Sequence, residues 1–109
     1  MSKNLRECIP LMQRYCKLRS RKDKIRFLRL FEDCVLKAAQ EMALNTVKGN
    51  VKLTANQKRR LQRYKAALIA LSQHSVSRPR KRKIILQSGT GLFAALIPLV
   101  LSAVSLLNK

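Results

Sequence analysis

A chain of 109 residues has room for one small domain with appendages, and 24 Lys and Arg against five Asp and Glu leave it with a charge of +19. A body this small repels itself at such a charge, so the partner it implies is a polyanion, either nucleic acid or an anionic membrane surface. Neither a metal site nor an enzyme is expected. Cys8, Cys16 and Cys34 show no CxxC spacing and His74 is remote from them, whereas a zinc site needs four clustered ligands. No carboxylate pair stands near the histidine, and no Gly-rich phosphate loop is present. Three cysteines without a framework fit buried thiols in a reducing compartment. Lys3, Arg6 and Glu7 interrupt the apolar run that a signal peptide would need at this end.

Residues 4–18, "NLRECIPLMQRYCKL", put Leu5, Ile9, Met12 and Cys16 at helical spacing, with Pro10 a potential kink. From Arg21 to Val47 the set Ile25, Leu28, Phe31, Val35, Ala38 and Met42 recurs in steps of three and four, which predicts one amphipathic helix. "KGN" at 48–50 supplies its stop, with Gly49 placed as the C-terminal cap. Thr54 and Gln57 then form a capping-box pattern, and Leu61, Tyr64, Leu68 and Leu71 continue a helix to about Ser72. A short turn between two helices predicts an antiparallel hairpin, with the first segment as a third helix. After His74, "SVSRPRKRK" reads as an extended basic linker because of Pro79 and the dense charge. "QSGTG" reads as a Gly hinge before an apolar tail. The expected fold is therefore all-α: a helical hairpin or three-helix domain over residues 4–73, a basic linker with a Gly hinge over 74–91, and a hydrophobic tail helix over 92–107.

All five acids lie in the first 41 residues beside eleven cations, and the thirteen later cations have no acid among them. The first part can pair its charges internally, while the second must find its anions elsewhere. Lys58, Arg59, Arg60, Arg63 and Lys65 on the third predicted helix, with Arg78, Arg80, Lys81, Arg82 and Lys83, are the expected cations for phosphate. Contacts of this kind release condensed counterions, so affinity falls steeply with salt and carries little sequence preference. On that basis, neutralising the five cations of 78–83 is expected to flatten the log–log salt slope by up to ~4.5. Aromatic residues for stacking on single strands are almost absent. The tail offers Leu92, Phe93, Leu96, Ile97, Leu99, Val100 and Leu101 to a membrane or a capsid subunit. From Ile84 to Leu107 the chain runs 24 residues without a charge, against the ~20 a membrane span requires. A tail-anchored or membrane-active protein and a minor capsid or cement protein are thus the alternative readings.

The order of these features is similar to one family. "VKGNVKLTANQKRRLQRYKAALIALSQHSVSRPRKRKIILQSGTGLFAALIPLVLS" resembles the small virion core-like basic proteins of Polinton/Maverick transposons and adintoviruses, themselves similar to the adenovirus core peptide precursor. The likeness covers about residues 26–105. Gly49, Asn50, Leu53, Thr54, Gln57 and Lys58 match the family's helix start. Val76, Ser77, Lys81, Arg82 and Lys83 match its basic block, and Gln87 and Gly89 its glycine motif. The family's paired glycines are here "GTG". What the resemblance implies is a virion component that binds double-stranded DNA non-specifically, resides in the virion and, during assembly, the host nucleus, and needs no cofactor. It also implies a partner protease of the adenovirus type, for which Gln87, Gly89, Thr90 and Gly91 resemble a cleavage motif.

Overall fold

The computed structural model describes residues 3–49 and 52–107, with side chains placed for 5–49 and 52–101; Asn50 of the expected turn lies outside them. Five helices follow in order: α1 (Lys3–Lys17), α2 (Arg21–Val47), α3 (Ala55–Gln62), α4 (Lys65–Ser72) and α5 (Arg78–Leu107). No strand occurs among the described residues. The fold is all-α with an apolar C-terminal helix, as its periodicity implies.

Local chemistry sets the boundaries. Ser20 caps α2 by accepting a hydrogen bond from the Asp23 backbone N–H, and Asp23 adds negative charge at the positive end of the helix dipole. Gly49 ends α2 at φ +77, a conformation that other L-residues rarely adopt. Thr54 and Gln57 close the expected capping box in both directions, at 3.2 and 2.8 Å. Where one helix was expected from Thr54 to Ser72, the chain breaks at Arg63 and Tyr64, and Tyr64 leaves helical geometry at φ −107, ψ 16. Pro10 and Pro98 lie inside α1 and α5 on solvent-facing positions, and neither ends its helix.

The basic linker and hinge expected over 74–91 are a correction: α5 runs unbroken from Arg78. Its start is capped. Ser77 Oγ accepts from the Arg80 N–H at 3.4 Å, and the Ser77 carbonyl accepts from the Lys81 N–H at 3.0 Å. Pro79 therefore sits in the first turn, where a missing N–H costs nothing. The glycines mark close approach. A Cβ on Gly89 would meet Ile85 Cγ2 at 3.0 Å and Tyr15 Cε1 at 3.4 Å, and one on Gly91 would collide with the Tyr64 hydroxyl.

The tail is likewise no appendage. Helices α2 and α5 pack on each other, and α1 and α4 each pack against both, so α2 and α5 form the middle of the bundle. Ile85, Leu92, Phe93, Leu96, Ile97 and Leu99 join Leu5, Ile9, Met12, Tyr15, Leu28, Val35, Met42, Leu68 and Leu71 in one core. Each fully buried aliphatic or aromatic side chain contributes about 1.5–3 kcal/mol, so α5 supplies a large share of what holds the fold. Tyr15 is buried, and its hydroxyl donates to the Ile85 carbonyl at 3.1 Å. Burial pushes its pKa up to about 12.

The expected free thiols are also corrected. Antiparallel packing of α1 on α2 brings Cys8 and Cys34 to a Cα separation of 5.5 Å, and they form a disulfide, well within the usual reach. Cys16 is free and half-buried; its Sγ donates to the Thr90 carbonyl, and burial pushes the thiol pKa up.

Candidate nucleic-acid interface

Helices α3 and α4 run antiparallel to α5, with α4 packed on α2 as well. Arg80, Lys83, Ile84, Gln87 and Ser88 of α5 face Ala66, Ala67 and Ala70 of α4 across a cleft of about 590 Å³. Farther along, Gly91, Ala94 and Ala95 face Arg59, Arg60, Arg63 and Tyr64. The two clefts lie end to end along α5 from Arg80 to Ala95, roughly 22 Å at ~1.5 Å per residue, with Tyr64 packed on Gly91 where the second begins. Small residues, with Ile84, Gln87 and Tyr64, line them, and exposed cations stand at both ends: Arg80 and Lys83 at one, Arg59, Arg60 and Arg63 at the other. Among the described residues none of these five forms an ion pair. A lining rich in small residues with flexible cations on the rim suits a phosphodiester backbone, which needs positive charge and close approach but no base-reading geometry.

The ten expected cations do not act as one set. Lys58 and Lys65 line a different cleft, beside Val47, Leu53, Leu61, Leu68 and Ile69. Arg82 Nη2 reaches Glu32 Oε1 at 2.7 Å. Arg78 pairs with Asp33 and lies 3.6 Å from the same Glu32 oxygen, and the hydrogen bond to Asp33 holds the Arg78 proton more firmly than usual. The block 78–83 thus draws anions from α2, which corrects the expectation that it must find them in a partner.

Lys81 is buried, 5 % exposed, and desolvation lowers its pKa. Its ammonium donates to Gln40 Oε1 at 3.4 Å, and Gln40 Nε2 in turn donates to His74 Nδ1 at 2.8 Å. Lys81 therefore tethers α5 to α2 and the α4 end rather than meeting solvent.

The residues expected to touch membrane or capsid lie largely inside the chain's own core. Leu92, Phe93, Leu96, Ile97 and Leu99 are buried, Val100 is half-buried, and Leu101 alone of the seven is exposed. The helix over Arg78–Leu101 is long and apolar enough to cross a membrane, and 44 % of its most apolar window is buried in the bundle. The cleavage motif is similarly engaged. Gln87, Gly89, Thr90 and Gly91 are helical, Gly89 is buried, and Thr90 Oγ1 accepts from Lys24 Nζ at 2.9 Å. The hinge expected there is a packed stretch of helix.

Among the described residues no three His, Cys, Asp or Glu side chains come together as metal ligands. Lys22, Arg26 and Arg29 fall outside the expected set. All three are exposed on α2, and their spacing of four and three residues was visible in the sequence as one helical face. Comparison with protein-family models, with curated proteins and with solved structures finds no match.

Proposed function

We propose that this chain is a structural protein that binds double-stranded DNA non-specifically and, as its resemblance implies, does so as a virion core component. The observation that carries the DNA reading is the row of clefts between α3–α4 and α5, where Arg59, Arg60, Arg63, Arg80 and Lys83 stand exposed and without ion pairs beside a lining rich in alanine. Sequence-independent binding needs nothing more than such a charge array. Leu92, Phe93, Leu96, Ile97 and Leu99 of α5 fill the bundle core, so these five need no membrane or capsid to explain them.

Geometry revises the expected salt response. With Arg78 and Arg82 paired and Lys81 buried, only Arg80 and Lys83 of the block remain for phosphate. Neutralising all five should flatten the log–log slope by about 1.8 rather than 4.5, while R59Q/R60Q/R63Q should flatten it by up to about 2.7. Fluorescence anisotropy on duplexes of unrelated sequence, from low to moderate salt, measures both. A wild-type affinity indifferent to salt, or confined to one sequence, would falsify the reading.

A further inference from the structure

Helix α2 turns three cations away from the groove just described, and their direction can be read from the contacts of their neighbours. Lys24 reaches Thr90 of α5 and Leu28 is buried, so these two mark the side of α2 that faces the bundle. At about 100° per residue, Lys22, Arg26 and Arg29 share a narrow arc roughly 150° around α2 from that side. On α5, Lys81 and Arg82 point to Gln40 and Glu32 of α2, and Arg80 and Lys83 lie roughly 180° from their mean direction. Because α2 and α5 pack on each other, the two sets of cations are on opposite sides of a molecule 27 Å across its shorter dimensions.

Charge makes the second side as basic as the first. Between Arg14 and Arg29 the chain carries eight cations and one acid, Asp23. The next two acids, Glu32 and Asp33, are engaged by Arg82 and Arg78. Among the described residues Lys22, Arg26 and Arg29 form no ion pair.

We infer that the outer face of α2 is a second polyanion-binding surface, and that a single molecule bridges two segments of double-stranded DNA. The inference rests on the proposed DNA-binding role of the groove and adds a valence to it. A duplex lying along one side leaves the cations of the other side free for another segment, and linking the two raises the effective concentration of the second binding event. A membrane-surface helix would show an apolar stripe beside its cations, whereas this face exposes only Leu30 next to Arg26 and Arg29.

The test uses the full chain, a biotinylated duplex on beads and a fluorescent duplex of unrelated sequence in solution. Wild type should carry the second duplex onto the beads. K22Q/R26Q/R29Q should still bind a single duplex through the groove, but capture should fall at least about tenfold, and R26K/R29K should keep it. Far-UV circular dichroism shows that the variants remain helical. Undiminished capture by the triple glutamine variant overturns the inference, as does capture that rises with the square of protein concentration, because pairs of molecules would then make the bridge. Recruitment of anionic vesicles to the DNA beads without any second duplex assigns the α2 face to lipid and overturns it as well. Wild type that binds one duplex but captures none sinks the bridge alone. If no duplex binds at all, the proposed function fails first.

Discussion

Arg80, Lys81 and Arg82 follow one another on α5 and meet three different surroundings. Arg80 faces solvent, Lys81 is buried and Arg82 meets Glu32 at 2.7 Å. A buried ammonium with one long hydrogen bond costs folding energy, since it gives up hydration for partial compensation. Lys81→Met keeps the aliphatic stem and removes the charge, so it should stabilise the fold by on the order of 1 kcal/mol. The advantage follows from linkage. The folded-state pKa lies below the ordinary lysine value of 10.5, so the burden is present in full at neutral pH. It disappears as pH rises through the lowered pKa toward 10.5. Urea unfolding at neutral and alkaline pH measures this, and the salt slope for DNA should be the same as wild type. A flatter slope would place Lys81 among the phosphate contacts.

Between elements, the disulfide joins α1 to α2 across 26 residues of sequence. Closing a loop of that size restricts the unfolded chain, and the usual entropy relation puts its worth at about 3.5 kcal/mol. Cys8→Ser, or reduction of the wild type, should lower the unfolding free energy by roughly 2–4 kcal/mol, with intact mass under non-reducing conditions reporting the bond itself. The division between local and distant contacts also governs what the sequence makes legible. The span of α2, its Gly49 stop and the Thr54–Gln57 box depend on residues within a few positions of one another, so periodicity and capping chemistry expose them. The head of α5 does not work that way. Pro79 and five cations look like a linker until Ser77 is recognised as a cap and Glu32 and Asp33, some 45 to 50 residues away, are brought alongside. Gly89 and Gly91 are as suitable for a hinge as for close packing, and only the positions of Tyr15 and Tyr64 decide. The cations of the groove were legible as residues. Their sorting into exposed, paired and buried was not, because it is set by tertiary contacts.

For the whole molecule, the acids of α2 set how much charge is offered outward. Glu32 and Asp33 hold two arginines that would otherwise be free for phosphate. E32Q/D33N should therefore tighten DNA binding and steepen the salt slope by up to about 1.8, while the stability of the fold changes little, since solvent screens pairs at or near the surface. Anisotropy titrations beside thermal melts separate the two effects, and unchanged binding would show that Arg78 and Arg82 lie out of reach of the duplex. The basic head and an inner wall of the core share one uninterrupted helix: residues 78–90 carry the cations, and residues 91–101 supply Leu92, Phe93, Leu96, Ile97 and Leu99. A chain cut between Thr90 and Gly91 would not free a spare tail, because these five residues beyond the cut are buried against α1 and α2. The intact bond between Thr90 and Gly91 thus ties the cationic head to the inner wall of the core.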